Sequence, residues 1–517
     1  MVARMGASVV LLERDRFPRP HVGESLLPAT VPILEELGVR DAIESAGFLK
    51  KWGATMLWGS GAEPWSWYFR ETSERYPHSY QVSRPEFDQL LLENSRAHGV
   101  DVREGHRALE VCFEEGRATG VRYEGGKDGE GLLQARFVVD ASGQSGLIAH
   151  RLGLRQFDSF FRNLAVYGYF EDVERLSEPD ETNIFIESHD EGWCWTIPLL
   201  GGQSSVGVVL DSERAQGRIN AETVDRFFQE QIARAPRTQE LLSGGKLVSG
   251  PFAVKDWSYV SDHVVGDGYV LVGDAACFVD PLFSSGVHLA MSSGVLAAAY
   301  ITSTLRDPEL GEAAAPVYQQ LYYTQYGHFH ELAKLFYSSN RTVDSYFWEA
   351  RRIVGDDEGF SPRQAFIRAV AGQPSRGYER AVLEQGEPPV EFVEGVRAVE
   401  NERVERRERL ARSRGARLEA VPRLAAGVEI SVKPVPGEGE FIWSHVVSSK
   451  VRPDGAPCSA LVAELLGRVD GRRTVRELIE ALRAKFEAAT GGKLEGSVTA
   501  ALEILYVEGT VEELAGA

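Results

Sequence analysis

Cysteine is scarce in this sequence, and long apolar runs are missing. The chain has 517 residues and four cysteines, which are scattered without a C-x-x-C pair. This usage argues against a zinc site or a disulfide framework and indicates a reducing cytoplasm. The eleven histidines show no metal-ligand spacing, and neither a signal peptide nor an apolar run of 18 residues is present. We therefore expect a cytoplasmic protein without a metal site or a membrane span.

An excess of positive charge is also missing. Acidic residues outnumber basic ones by 76 to 56, which gives a formal net charge of −20 at pH 7 and a pI near 5.2. Such a chain is a poor partner for nucleic acid or an anionic membrane, because like charges repel. The length indicates roughly three domains.

A further absence concerns glycine. Residues 8–15 read S-V-V-L-L-E-R-D, a predicted buried strand that ends in acids. In dinucleotide-binding folds an acid at this point holds a ribose, and a G-x-G-x-x-G turn precedes the strand within a roughly 30-residue βαβ unit. That turn is missing, because residues 1–6 resemble only the last turn of a helix and residues 59–61 lack the third glycine. We expect that the chain as given begins too late and lacks this first strand and turn.

Two indoles stand close together in one hexapeptide. Residues 193–198 read W-C-W-T-I-P. Because side chains alternate along a strand, the pattern predicts a strand with Trp193, Trp195 and Ile197 on one face. A strand of this kind also suits an ordinary aromatic core, and the sequence leaves that alternative open.

A strand, a tight loop and a helix are predicted between residues 268 and 290. The strand covers residues 269–272, Gly273-Asp274 follows it, and the helix begins near Ser285-Gly286. Glycine allows close approach of a ligand to the backbone, and an aspartate can accept a ligand hydroxyl. A helix N-terminus has free N–H groups and a partial positive charge, which suits an anion. The alternative is a strand–loop–helix unit of any α/β enzyme.

Three more segments add to this pattern. Residues 22–28 read V-G-E-S-L-L-P, residues 84–91 predict an amphipathic helix with an Arg84–Asp88 pair, and residues 138–143 predict a buried strand that ends in D-A-S-G. Together with W-x-W-x-I-P and G-D, these segments resemble those of the flavin-dependent halogenases, in the same order, from residue 8 to about 350. The wording of residues 276–290 and of D-S-Y-F-W at 344–348 resembles the branch with phenolic or carrier-bound substrates rather than the free-tryptophan branch.

The resemblance implies a fold and a set of site residues. The fold is α/β, with an FAD-binding Rossmann-like domain of the hydroxylase and halogenase type, truncated at its N-terminus, and an antiparallel substrate sheet. Ser285 and Gly286 would bind the halide. The residues implied in FAD binding are Glu13, Arg14, Gly23, Glu24, Ser25, Arg84, Gly273, Asp274, Pro281 and Gly286.

The resemblance also implies a mechanism. Reduced FAD, supplied by a separate reductase because no nicotinamide site is visible, reacts with oxygen to form a hydroperoxide. The hydroperoxide oxidises the halide, and hypohalous acid travels to a lysine beside the substrate. Lys51 takes this role if Lys50 and Lys51 face opposite sides of a strand, whereas two solvated surface lysines are the alternative. Trp193, Trp195, Ile197 and Pro198 would keep the organic substrate away from the flavin.

The domain prediction divides the chain into five parts. Residues 1–155 and 256–305 form the FAD domain, residues 156–255 the antiparallel sheet, and residues 306–420 a helical region with a charged linker. Residues 421–517 resemble PqqD-like winged-helix domains, which bind leader peptides or dock on partner enzymes. Their predicted helices cover residues 458–466, 474–486, with a capping box formed by Thr474 and Glu477, and 496–507. A small helical domain that only packs on the catalytic body is the alternative.

These observations predict an FADH2- and O2-dependent halogenase in secondary metabolism such as antibiotic biosynthesis. Its halide substrate would be chloride or bromide, with a chlorinase as the first expectation. The substrate would be an activated aromatic, free or bound to a peptidyl or acyl carrier protein. One alternative is a flavin monooxygenase or geranylgeranyl-reductase-like oxidoreductase of the same fold. Another is a scaffold without catalytic activity that acts through its C-terminal domain.

Overall fold

The computed structural model describes residues 1–59, 61, 63–126, 129–221, 223–338, 362–372, 405–411, 417–450 and 455–514. The chain forms two compact units, Met1–Arg306 with Ala315–Ala381 and Asp307–Ala314 with Val382–Ala517. Within the described ranges, no helix is long and apolar enough to cross a membrane, and no cluster of potential metal ligands is present. The D-S-Y-F-W stretch at 344–348 lies outside the described residues.

The first unit contains both helices and strands. Its helices are Val31–Glu36, Arg40–Ser45, Arg84–Ala97, Leu147–Leu152, Ser212–Ala221, Val224–Ile232, Pro236–Leu241, Gly286–Arg306, Pro308–Ser338, which begins in the second unit, and Pro362–Val370. Its strands are Val10–Glu13, Leu49–Lys51, Gly53–Leu57, Trp65–Tyr68, Ser79–Gln81, Asp101–Glu104, His106–Glu114, Arg117–Gly125, Glu130–Gln134, Val138–Asp140, Arg155–Glu171, Ile184–Ser188, Gly192–Pro198, Ser204–Asp211, Lys246–Ser261, Val265–Gly266, Tyr269–Leu271 and Cys277–Phe278.

The largest sheet has eight strands and is mixed. Its order is Cys277–Phe278, Lys246–Ser261, Arg155–Glu171, Ser204–Asp211, Gly192–Pro198, Ile184–Ser188, Gly53–Leu57 and Trp65–Tyr68. The four strands predicted between residues 164 and 210 are all present in it. Within residues 156–255 the strand pairs are antiparallel, as predicted, and the parallel pair joins Ile184–Ser188 to Gly53–Leu57, which lies outside that range. This pairing joins segments about 130 residues apart, which local sequence patterns cannot reveal.

Period-two alternation gives this sheet two different faces. Cys194, Val206 and Val208 pack in an apolar cluster with Phe227 and Phe228. The phenylalanines belong to the helix Val224–Ile232, so helices cover this face. Trp193 and Trp195, which alternate with Cys194, therefore lie on the opposite face.

The predicted parallel strands fall into two separate small sheets. Val10–Glu13 pairs with Asp101–Glu104, and Val138–Asp140 pairs with Tyr269–Leu271. The first strand was expected to be buried, and this is wrong: Val10 is 38 % exposed and the other residues are partly buried. Val139 is also exposed between two buried neighbours. A strand in a two-stranded sheet has one uncovered edge, so it is less buried than a central strand.

The second unit has its own apolar core. Its helices Ala460–Leu466, Val475–Phe486 and Leu494–Val507 agree with the predicted helices to within two residues. The exception is Cys458, which belongs to a strand because Ser459 caps the following helix. The sequence did not reveal the antiparallel sheet of Glu429–Pro436, Phe441–Ser448 and Ala456–Cys458 or the pair of Arg423–Leu424 with Val511–Glu513; these are the strands of this unit in its described part.

Candidate active site

Lys51 is one of the largest fully buried side chains among the described residues. It lies on the strand Leu49–Lys51, where Lys50 faces solvent, as the alternation predicts. The ammonium nitrogen donates to the carbonyl of Leu26 at 3.1 Å and lies 5.7 Å from the centre of the Phe69 ring. Burial lowers the pKa of Lys51 to about 7. The side chain therefore exchanges between ammonium and amine near neutral pH.

A small cavity of about 10 Å³ adjoins Lys51. This volume suits about one water molecule. Leu27 of the G-E-S-L-L-P segment and Ser284 of the predicted halide turn are in its wall, so three sequence segments meet here. The remaining walls are apolar and consist of Ala54, Trp67, Phe69, Ile184, Ile186, Leu282, Phe283 and Val370.

The G-E-S-L-L-P segment is a buried loop. The carboxylate of Glu24 accepts the hydroxyl of Tyr169 at 2.7 Å and the backbone N–H of Gly23 at 3.0 Å. Burial raises the pKa of Glu24. The hydroxyl of Ser25 is buried without a hydrogen-bond partner among the described residues. A polar atom in this state is costly unless a ligand pairs with it.

Arg84 holds this loop in place. It makes a two-pronged ion pair with Asp88, at 2.8 and 3.0 Å, one turn along its helix. Its remaining nitrogen donates to the carbonyl of Val22 at 2.6 Å. Arg19 continues the chain of charges, at 3.3 Å from Asp88 and 3.9 Å from Glu13. The predicted ribose residue is thus connected to the loop through ion pairs.

Arg14 is not part of this chain of charges. Its side chain is 64 % exposed and pairs with the neighbouring Asp15. The structure therefore brings Glu13 and Arg84 together with the loop, but it leaves Arg14 at the surface.

Gly273 and Asp274 follow the buried strand Tyr269–Leu271, as predicted. Gly273 has a φ of +55°, and an added Cβ would lie 3.1 Å from the Cβ of Ala290. Burial raises the pKa of Asp274 to about 6, against the opposing charges of Arg84 and Arg155. The charge of Arg84 also opposes the rise in the pKa of Glu24, so both acids lie close enough to Arg84 to feel its charge.

The predicted halide turn precedes the helix Gly286–Arg306. The N–H of Ser284 donates to the carbonyl of Pro281 at 3.0 Å, and Ser284 has a left-handed φ of +56°. Ser285 is buried directly before the helix. An added Cβ on Gly286 would meet nothing within 4 Å. The start of this helix therefore offers free N–H groups and open space to an anion or a cofactor.

Trp193 is connected to the same turn through a buried hydrogen-bond network. Its indole N–H donates to the hydroxyl of Tyr337 at 2.6 Å, and this hydroxyl donates to the carboxylate of Asp280 at 2.9 Å. Asn163 donates to the same carboxylate at 3.2 Å. The other oxygen of Asp280 accepts the N–H of Leu282 at 2.9 Å. Burial raises the pKa of Asp280 to about 6, and these hydrogen bonds oppose the rise.

The other residues of the W-C-W-T-I-P segment are buried in the sheet. The indole of Trp195 covers Gly207, where an added Cβ would lie 2.2 Å from the ring. Its N–H donates to Ser205 at 3.2 Å. Ile197 and Pro198 pair with Ser205 and Ser204. None of these residues is in the wall of the Lys51 cavity. The neighbouring strand Ile184–Ser188 contributes Ile184 and Ile186 to that wall.

Sequence reasoning missed Tyr169, Tyr337 and the aromatic residues around Lys51. Trp67 and Phe69 belong to the aromatic-rich stretch W-S-W-Y-F at residues 65–69. This stretch lies soon after the strand Leu49–Lys51 and could have indicated the aromatic surroundings of Lys51. Tyr337 is more than fifty residues from Asp280, and no local pattern pairs the two.

Comparison with known proteins identifies the relatives of this fold and site. The sequence model described as "Tryptophan halogenase" matches residues 1–76 and 68–376. A tryptophan 2-halogenase of Chondromyces crocatus is 36 % identical over 377 residues, which cover 72 % of this chain and 71 % of the relative. The chain belongs to the tryptophan halogenase family. It is a flavin-dependent halogenase, and the cofactor of such enzymes is FAD.

Three further comparisons support the assignment of this chain to the halogenases. The 1H-pyrrole-2-carbonyl-(peptidyl-carrier protein) chlorinase of Pseudomonas fluorescens is 33 % identical over 375 residues, 68 % of this chain and 82 % of that protein. The structure of the myxobacterial chondrochloren halogenase CndH shares 42 % identity, with a TM-score of 0.64, over 72 % of this chain and 86 % of its own. The flavin-dependent halogenase CmlS matches 100 % of this chain and 95 % of its own at 26 % identity and a TM-score of 0.69.

The residues of the halogenase fit FAD. The carboxyl group of Asp274 is buried near Arg84 and Arg155, and the hydroxyl of Ser25 is buried without a hydrogen-bond partner among the described residues. Ribityl hydroxyls and ring nitrogens of a flavin would supply such partners. The open space above Gly286 allows a ring to approach the helix N-terminus.

Proposed function

We propose that this halogenase chlorinates an activated aromatic ring and that Lys51 delivers the oxidised halogen to it. One observation carries the proposal: Lys51 is buried in an apolar cavity that also has Ser284 of the predicted halide turn in its wall. A buried lysine without a carboxylate partner is costly, so its presence favours a chemical role.

The cofactor site and the halide turn prepare the oxidant. When bound, FAD in its reduced form supplies the electrons that let oxygen oxidise a halide ion. Glu24, Ser25 and Arg84 would position the ring, and Glu13 and Asp274 would bind ribose and ribityl hydroxyls. Ser285, Gly286 and the first N–H groups of the helix would hold the halide, because the helix N-terminus favours an anion.

Lys51 has the properties that the delivery of hypohalous acid requires. Its ammonium form can donate a hydrogen bond to the oxygen of hypohalous acid and polarise it. Its amine form has a lone pair that can take the halogen from hypohalous acid, as the oxygen–halogen bond breaks and the hydroxide leaves with the amine proton as water. With a pKa of about 7, both forms are present near neutral pH. The apolar walls limit the water that would compete for the oxidant.

Trp193 and Trp195 would separate the organic substrate from the cofactor. Both indoles are buried on the sheet face opposite the helices that pack on Cys194. Large rigid rings in this position would leave a path for a halide or hypohalous acid but none for an aromatic acceptor. This exclusion would make the enzyme a halogenase and not a hydroxylase.

The proposal for the substrate and the partners is based on the relatives and on the second unit. The similar pyrrole chlorinase acts on a ring held by a peptidyl carrier protein, which supports a carrier-bound aromatic here. We propose that a separate reductase supplies reduced flavin and that the PqqD-like C-terminal unit contacts the carrier. Four free cysteines support a location in the cytoplasm.

Lys51→Ala tests the proposal, and Lys50→Ala is the matched control. We expect Lys51→Ala to abolish halogenated product while flavin oxidation and hypohalous acid formation continue. Lys50→Ala should retain product, because Lys50 faces solvent on the same strand. Product is measured by mass spectrometry and oxidant with a chemical trap. Product from Lys51→Ala, or the absence of trapped oxidant, would contradict the role of Lys51.

A further inference from the structure

Asp280 is a buried acid four residues before Ser284, the first residue of the predicted halide turn (residues 284–286). Its side chain is 4 % exposed. One of its carboxylate oxygens accepts the N–H of Leu282 at 2.9 Å. The carbonyl of Pro281 accepts the N–H of Ser284 at 3.0 Å. Two successive hydrogen bonds therefore fix the backbone between Asp280 and the halide turn.

The halide turn continues directly into the helix Gly286–Arg306. The N–H of Leu289 donates to the carbonyl of Ser285 at 2.9 Å, and this bond starts the hydrogen-bond ladder of the helix. The helix itself therefore has no acceptors for the N–H groups of residues 286–288. These N–H groups are the donors that suit an anion, and their direction depends on how the chain enters the helix.

The second carboxylate oxygen of Asp280 contacts two elements that are far away in the chain. It accepts the hydroxyl of Tyr337, on the helix Pro308–Ser338, at 2.9 Å. It also accepts the side-chain amide of Asn163, on the strand Arg155–Glu171, at 3.2 Å. This strand pairs with a neighbour on each side inside the eight-stranded sheet. Asp280 thus connects the halide turn to the sheet and to a long helix.

The donors around Asp280 fit a carboxylate better than an amide. The hydroxyl of Tyr337 accepts the indole N–H of Trp193 at 2.6 Å, so its own proton can point to Asp280. Donors are bonded to both oxygens of Asp280. The amide of an asparagine side chain has one oxygen and one NH2 group. In one orientation its NH2 group would face the N–H of Leu282, and in the other it would face the donors Tyr337 and Asn163.

We propose that Asp280 is a positioning residue of the halide turn. Its bonds to Leu282, Tyr337 and Asn163 hold the start of the helix Gly286–Arg306 in the direction that binds a halide ion. Asp280 acts through the backbone and is not a ligand of the halide. Its three partners are neutral groups, which offset only part of the cost of burying a carboxylate, and this cost favours a functional role. The inference rests on the proposed function, which assigns halide binding to this turn.

Chloride binding tests the inference without turnover, on the full chain with excess FAD. The line width of the chloride NMR signal reports bound chloride, and we expect a saturable increase with the parent protein. Asp280→Asn should weaken binding at least tenfold, because at least one of its bonds is lost and the turn can reorient. Tyr337→Phe leaves the bond to Leu282 intact, so it should weaken binding measurably but less. Asp262→Asn, at an exposed aspartate of the same unit, should bind chloride as the parent does.

Turnover distinguishes positioning from a loss of folded protein. The halide KM and the kcat of hypohalous acid formation are measured with a chemical trap and without an organic acceptor. A positioning role predicts that Asp280→Asn raises the halide KM and leaves kcat close to the parental value. A lower kcat with an unchanged halide KM would show that Asp280 only stabilises the fold, and this result would overturn the inference.

The two variants at the network make the binding test decisive. Equal chloride binding by the parent, Asp280→Asn and Tyr337→Phe overturns the inference, and so does a parent protein that binds no chloride. Tyr337→Phe decides the test if Asp280→Asn does not fold. Weaker binding by the variants supports the inference even if no halogenated aromatic is formed, so a failure of the proposed function is recognised separately. Product from Lys51→Ala would contradict the role of Lys51 and leave the chloride result intact.

Discussion

At the scale of single residues, burial of the Lys51 ammonium group costs free energy of folding. Its only hydrogen bond among the described contacts goes to the carbonyl of Leu26, and aromatic and aliphatic groups form its cavity. A neutral carbonyl offsets little of the cost of burying an ammonium group. The depressed pKa is the result of this cost, and it gives a test that needs no substrate.

Lys51→Met should stabilise the protein by an amount that depends on pH. Folding lowers the pKa of Lys51 from 10.5 to about 7, so the unfolded chain binds more protons between these values. The destabilisation by Lys51 is therefore complete below about pH 7 and fades as the pH rises toward 10.5. Thermal unfolding at about pH 6.5 and about pH 9.5 should show the larger difference between variant and parent at the lower pH. A difference independent of pH would mean that Lys51 is not desolvated.

Trp193 has two separate properties, its bulk and its indole N–H. The bulk supports the proposed barrier between substrate and cofactor, whereas the N–H connects the sheet to Asp280 through Tyr337. Substitutions can separate these two properties because phenylalanine keeps much of the ring and has no N–H group.

Replacing both Trp193 and Trp195 with alanine should lower halogenation and allow some hydroxylated product. If the indoles form the proposed barrier, the substitution opens space beside the cofactor, so oxidant leaks and the acceptor can approach. Each indole-to-alanine change costs about 3–5 kcal/mol, so the measurement requires low temperature and a check of folding. Trp193→Phe is the control and should form no hydroxylated product. Mass spectrometry under labelled oxygen decides, and a folded double variant that halogenates at the parental rate would contradict the barrier.

At the scale of elements, several side chains stabilise or shape the N-terminal ends of helices. Gly286 begins the long helix that follows the predicted halide turn. Glu187, on a strand, accepts the N–H groups of Arg237 and Thr238 at the start of another helix. In the second unit, Thr474 and Glu477 form the reciprocal capping box that the sequence predicted. Glu187 and the capping box supply hydrogen bonds to N–H groups that the helix itself cannot satisfy, whereas the first N–H groups of the helix that begins at Gly286 stay free for a ligand.

Thr474→Ala should destabilise the second unit by about 1 kcal/mol, because it removes the acceptor for the N–H of Glu477. Hydrogen exchange of the helix Val475–Phe486 measures the effect locally. Thr499→Ala is the matched control: this threonine lies inside the helix Leu494–Val507, where alanine is the better helix former. Equal protection in Thr474→Ala and the parent would show that the cap contributes nothing.

At the scale of the whole molecule, the two units have different surfaces. The hairpin of the second unit exposes Val432, Ile442 and Trp443, which are 56 %, 47 % and 44 % exposed. Val432 pairs with His445 and therefore shares a face with Trp443, whereas Ile442 points to the other face. Exposed apolar groups that share a face often mark contact sites for other proteins. This hairpin is therefore the part of the unit that best suits contact with a carrier protein.

Trp443→Ala should lower kcat/KM for a carrier-bound acceptor and leave a free acceptor unchanged. The reason is that the residue lies in the second unit, which would contact the carrier and not the reacting ring. Ile504→Ala provides the control, since Ile504 is 64 % exposed but lies on a helix outside the hairpin. Parallel losses with free and carrier-bound acceptors would count against a docking role.

Local sequence patterns determined the elements of this protein and several of its site residues. The strand with Lys50 and Lys51, the strand with Trp193 and Trp195, and the capping box of the helix Val475–Phe486 all depend on residues that are close together in the sequence. Such patterns have fixed periods, so Lys51 could be assigned to the interior and Lys50 to solvent before any contact was known. The family resemblance rests on the same short segments.

Tertiary structure decided how these elements meet. The parallel pairing of Ile184–Ser188 with Gly53–Leu57, the hydrogen bonds from Trp193 through Tyr337 to Asp280, and the cavity beside Lys51 all join segments far apart in the chain. The partial exposure of Val10 also depends on the number of strands beside it. No sequence period encodes these contacts, because burial, cavity shape and a lowered pKa arise only when distant segments exclude water together.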